Sequence, residues 1–176
     1  MSSLLMNGKK VKAGFPTLLQ TIKLSFKASF FDEKGLLFLL LNNKHTFNLI
    51  TIFLFMISLP VRGLDGKVSY SIGHIIETVL LTLFFIGFLY FLSPNKKFGF
   101  LAFLRVFMAY ESIDIFAIVS FIIPISFLSI FYALHIGWYL SLAVFAYSKI
   151  NRLNYIYSTI NVLLVFFIVN LLPSIL

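Results

Sequence analysis

From residue 46 onward the chain is written in long apolar blocks separated by short polar links, and each block long enough to cross hydrocarbon is read as a helix. The first, "TFNLITIFLFMISLPV" (46–61), is short for a hydrocarbon core of about 30 Å and needs its flanks or a thinned bilayer. "RGLDGK" (62–67), with Gly63 and Gly66, is a turn. "IGHIIETVLLTLFFIGFLYFL" (72–92) is a full-length span closed by "SPNKK". No charge appears from Ile115 to Ser148, more than one span needs, so this run divides into spans near 113–131 and 133–149 with a tight turn around His135. Pro124 falls inside the first of these, where it opens the hydrogen-bond ladder and kinks the helix. After "KINR" (149–152), the block "YIYSTINVLLVFFIVNLLPSIL" holds the last span, near 155–175.

Residues 1–45 follow another pattern. A basic tail (1–13) leads to Pro16, at a position where a helix start tolerates proline. Beyond it Phe15, Leu18, Leu19, Ile22, Phe26 and Phe30 recur at three- and four-residue steps, with Gln20, Lys23, Lys27 and Lys34 on the opposite side. That spacing describes an amphipathic helix in the headgroup plane, or one packed on the protein's own spans; the two are compatible. Gly35–Leu41 is too short to span. The expected fold is therefore all-α and polytopic. Region 1–45 forms a basic tail and interfacial helix, and 46–176 forms a domain of about five transmembrane helices.

Composition excludes a water-soluble domain, since 60% apolar and 11% charged residues, with a mean hydropathy of +1.01, leave too little polar surface to cover an exterior. There is no cysteine, hence no disulfide or thiolate site. The net charge of +8 is not read as nucleic-acid binding, because the basic residues flank apolar runs, where they orient the chain and meet anionic headgroups. No cleavable signal is expected at the N-terminus.

One stretch is ambiguous: "FGFLAFLRVFMAYESIDIF" (98–116) reads like a span but carries Arg105 at its middle. Crossing there would place a guanidinium near mid-bilayer, at a cost of about 2.5–3.5 kcal/mol or more. If 98–112 lies on the membrane and the N-terminus is cytoplasmic, only Arg62 and Lys67 of the 14 basic residues face outward, a strong positive-inside bias. The expectation is that this stretch lies on the inner surface, Arg105 snorkels to phosphate, and the C-terminus emerges on the opposite side.

Two polar groups stand out. His74 and Glu77, spaced i, i+3 on one helix face, share a depth with His135 in this layout; two imidazoles and a carboxylate suit zinc or a proton relay. The second group is Arg105, Glu111 and Asp114, a candidate cytoplasmic docking site or salt-bridged elbow, alongside Lys23, Lys27, Lys96, Lys97, Lys149 and Arg152 as lipid or partner contacts. Asn161 and Asn170 in the last block are expected to hydrogen-bond between helices. No H-E-x-x-H, G-x-S-x-G, Walker or dinucleotide motif is present, so neither a catalytic site nor a cofactor is expected.

Leu104-Arg105-Val106 with Ala109-Tyr110, then a proline-bearing block with Pro124, an adjacent apolar block, and a polar link from Lys149 to Arg152 form a series of features. Over about 70 residues this series resembles the second half of the Yip family, multi-span proteins named for binding Ypt/Rab GTPases. Where that family's usual Tyr-Ser-x-x-Pro would stand, this chain has "YESIDIF", with Glu111 within it and no proline nearby. The resemblance implies a five-span helical fold and a scaffold or trafficking role. The leading expectation is thus a non-catalytic membrane scaffold presenting its basic face to anionic lipid and to a protein partner or a second copy. A small transporter or transport subunit using His74 and Glu77 comes next, then an intramembrane metal enzyme.

Overall fold

The computed structural model describes residues 15–174; the basic tail with Lys9, Lys10 and Lys12, and the end of the last apolar block, lie outside the described residues. Among the described residues the chain forms seven α-helices: α1 (Leu18–Ala28), α2 (Glu33–Leu41), α3 (Thr46–Ile57), α4 (Ile72–Leu92), α5 (Phe100–Tyr110), α6 (Ile125–Asn151) and α7 (Tyr155–Leu171). A two-stranded antiparallel hairpin, β1 (Val61–Arg62) and β2 (Val68–Ser69), joins α3 to α4, and a 3-10 helix, Glu111–Phe121, continues α5 without a break. Helices α4 and α6 are long and apolar enough to cross a membrane; α7 is apolar but shorter.

Local chemistry sets the helix boundaries. Thr17 and Gln20 form a reciprocal capping box at the start of α1, while Asp32 and Asn154 accept backbone N–H groups at the starts of α2 and α7. The expected "RGLDGK" turn is the hairpin loop, with Gly66 at φ +80°, a conformation that L side chains resist. Pro124 is the N-cap of α6, not a residue inside a span, and α6 then runs unbroken for 27 residues. The division near His135 is therefore corrected: His135 lies within α6, and the chain turns at 122–124, where proline's missing N–H costs no helical bond.

Two polar clamps mark the ends of the bundle. At one, the Arg62 guanidinium donates to the carbonyls of Ser120 (3.2 Å) and Ile123 (3.0 Å), and the Tyr132 hydroxyl donates to the Arg62 carbonyl (2.6 Å). At the other, Asn95 Nδ2 donates to the Ile150 carbonyl (2.9 Å) and the Ser93 hydroxyl bonds Asn151 Oδ1. Helix α4, the rod Phe100–Phe121 and α6 thus each run the length of the bundle between these ends.

At the centre stands α5, packed against α1, α2, α3, α4 and α6, with residues 102–113 all buried. This overturns the expectation that 98–112 lies on a membrane surface. Arg105 does not snorkel: only 7% exposed, it donates through Nε to the Leu39 carbonyl (2.8 Å) and through a terminal nitrogen to the Leu40 carbonyl (2.7 Å). These carbonyls end α2, where a cation is favoured by the helix dipole. Protein encloses the guanidinium, an environment that a choice between lipid and water leaves out.

Helix α1 packs on the protein's own helices, one of the two expected readings, but through a different face. Its buried stripe is Thr21, Ser25 and Ala28, small residues that let it approach α5 closely, and both the lysine side and the leucine side stay exposed. Thr21 Oγ1 bonds His45 Nδ1 (2.8 Å) and accepts from Asn48 Nδ2 (3.0 Å), which fastens α1 to the start of α3.

Candidate functional site: a carboxylate pair facing a cavity

The 3-10 helix that follows α5 is the unusual element. At 11 residues it far exceeds the three or four typical of its kind. With three residues per turn it eclipses side chains at i and i+3, and so stacks Glu111 over Asp114. Helix α6 meets this pair with His135 and Tyr139, one turn apart on a single face. His135 Nε2 lies 2.9 Å from Asp114 Oδ1, and the imidazole stacks on Phe131 at 6.3 Å. The Glu111 carboxyl neighbours both Asp114 and Tyr139.

These four side chains open on a cavity of about 220 Å³ walled by α4, the 3-10 helix, α6 and α7, with Phe85, Phe166 and Asn170 among its other lining residues. Exposure falls with depth: the Asp114 side chain is 28% and that of His135 15% accessible, while Glu111 is 7%. Near Tyr139 is the fully buried Tyr110, whose hydroxyl has no hydrogen-bond partner among the described residues. At 1.5 Å per residue His135 sits about 15 Å along α6 from Ile125, and Thr82, on the facing wall, about 15 Å along α4 from Ile72. The cluster is thus midway along the long helices.

The structure regroups the residues singled out in the sequence. Glu111 and Asp114 belong together, but their companion is His135; Arg105 is held apart by its bonds to α2. His74 and Glu77 are exposed on the first turns of α4, and among the described residues no three His, Cys, Asp or Glu side chains form a metal-holding group. The proposed zinc triad is not assembled, because α6 carries His135 inward to Asp114. Asn170 donates within its own helix to the Phe166 carbonyl (2.8 Å) and not across helices. Tyr139 escaped notice, although its i, i+4 spacing from His135 marks it once α6 is taken as one helix.

Of the basic contacts, Lys149 pairs with Glu33 (2.6 Å) and Lys96 donates to the Tyr90 and Phe91 carbonyls at the end of α4. The Lys97 ammonium lies over the Phe98 ring, and Lys23, Lys27 and Arg152 are exposed. Outside the long helices, burial lowers the His45 pKa below its ordinary value, which keeps the ring neutral against Thr21. Comparisons of the chain with protein-family models, curated proteins and solved structures find no match.

Proposed function

We propose that this chain is a multi-pass membrane protein of the transport class, in which Glu111, Asp114 and His135 take up and release protons as a small solute or ion moves through the adjoining cavity. One observation carries this reading: a carboxylate pair, Glu111 buried and Asp114 partly accessible, sits beside an imidazole and a phenol and faces a cavity midway along the long apolar helices. Ionisable groups in such a place are costly to keep without a task, and a graded series from accessible Asp114 to buried Glu111 suits proton uptake from the cavity. The layout has five crossings: α3 with its hairpin, α4, the rod Phe100–Phe121, α6 and α7. It keeps Lys96, Lys97, Lys149 and Arg152 together on the cytoplasmic side, since Asn95 and Ile150 are hydrogen-bonded, and leaves Arg62 and Lys67 outside.

In proteoliposomes under an imposed pH gradient, the protein is expected to move protons, and Glu111→Gln to reduce that movement to the level of empty vesicles. Equal fluxes with and without the substitution would remove Glu111 from the mechanism.

A second reading, a non-catalytic scaffold of the trafficking type that its sequence resembles, draws support from the basic residues gathered at one end. It predicts that protein taken from native membranes retains a specific protein partner or a second copy, and that this is lost in a Lys96→Gln/Lys97→Gln variant.

A further inference from the structure

Helix α1 carries two exposed lysines, Lys23 and Lys27, one turn apart, and among the described residues neither joins an ion pair. On either side of this stripe lies an apolar groove. One, of about 480 Å³, is walled by Ile22, Phe26 and Phe30; the other, of about 390 Å³, by Pro16, Leu24 and Phe38, and both include the two lysines. Asp32 is the carboxylate on these walls, and its Oδ1 is taken up by the Lys34 backbone N–H (3.1 Å) at the start of α2. Two cations between two apolar channels match an amphiphile with one anionic head and two hydrocarbon chains.

We infer that α1 seats an anionic phospholipid, its phosphate between Lys23 and Lys27 and one acyl chain along Phe26 and Phe30. The position of α1 argues for a seated lipid over general surface attraction. The turn after α1 docks on the midpoint of α6, where Trp138 Nε1 donates to the Ser29 carbonyl (3.2 Å) and its ring meets Phe30 at 5.4 Å. The chain just beyond this turn reaches the basic end of the molecule, where Glu33 pairs with Lys149 (2.6 Å), and an anionic headgroup has to come inward from that end to meet Lys23 and Lys27. The neighbouring helix makes that approach possible: α3, with 12 residues, is about 18 Å long against about 32 Å for α4. A bilayer meeting so short a wall thins, which draws headgroups inward to α1.

Trp138 is the chain's single tryptophan and touches the groove through Phe30, so its fluorescence reports occupancy. In proteoliposomes of phosphatidylcholine, phosphatidylglycerol with brominated acyl chains is expected to quench Trp138 more strongly than brominated phosphatidylcholine at the same mole fraction. Lys23→Gln/Lys27→Gln should abolish the difference while leaving quenching by brominated phosphatidylcholine unchanged, and Lys96→Gln/Lys97→Gln should preserve it. Equal quenching by the two lipids in the unaltered protein would overturn the inference. So would a difference that survives in the Lys23/Lys27 variant, since the attraction would then reside in the other basic residues.

Discussion

Arg105 and Glu111 lie six residues apart on one uninterrupted rod and are equally buried, each 7% exposed, yet the fold treats them in opposite ways. Around Arg105 the partners are backbone: two carbonyls at the end of α2 accept from Nε and a terminal nitrogen, and α5 is walled by five other helices. Around Glu111 the surroundings are open, with a second carboxyl, an imidazole, a phenol and a cavity within reach. A buried charge whose hydrogen bonds all close onto backbone holds the structure together, whereas one among titratable neighbours at a cavity can change its protonation while the fold stays as it is. The backbone follows the same division, since the rod is α-helical at Arg105 and becomes 3-10 at Glu111.

The largest effect expected is at the open site. Glu111→Gln keeps the shape and hydrogen-bonding capacity of the side chain, so proton movement in proteoliposomes should fall to background while the thermal unfolding midpoint in detergent stays near that of the parent. If the variant instead unfolds readily, the contrast with Arg105 collapses and the cluster is structural. Next comes Arg105→Met, which leaves two buried carbonyls of α2 without donors. Loss of two hydrogen bonds to a charged group predicts about 3 kcal/mol of destabilisation, measured by denaturant titration in detergent. Lysine should recover only part of it, because one ammonium does not reproduce the guanidinium fork.

A smaller effect concerns His45. Burial holds its folded pKa below the unfolded value of about 6.5, so the neutral ring stabilises the α1–α3 junction above that pH, and the stabilisation is lost as pH falls through the folded pKa. Hydrogen exchange along α1 should accelerate on acidification, and His45→Ala should remove the pH dependence. The smallest effect is expected from Glu77→Gln. That carboxylate is exposed on α4 away from the cluster, and the flux should be unchanged. A large loss there would return the functional site to the first turns of α4.

Much of this was legible along the chain. Helices α4 and α7 begin where the apolar blocks "IGHIIETVLL…" and "YIYSTINVLL…" begin, and α3 where "TFNLITIF…" does. The "RGLDGK" turn is where its glycines put it. Periodicity failed in two places. The uncharged run from Ile115 to Ser148 suggests a division at His135, whereas the chain turns at Pro124, because hydropathy measures whether a residue is apolar and is blind to where a helix is capped. On α1 the leucine and lysine stripes stood out, yet the face that packs is Thr21, Ser25 and Ala28, since close approach of helix backbones selects small side chains over apolar ones.

What the sequence by itself determined is the helical, apolar character of the chain and where α3, α4 and α7 begin, because both follow from residue type and run length; of about five expected spans, α4 and α6 are long and apolar enough to cross a membrane. Which charges are partners was decided only by tertiary structure. Arg105 found carbonyls of α2 some 65 residues earlier, and Asp114 found His135 on the next helix. Hydrogen bonds depend on ångström distances between segments, and no property of either segment alone encodes them.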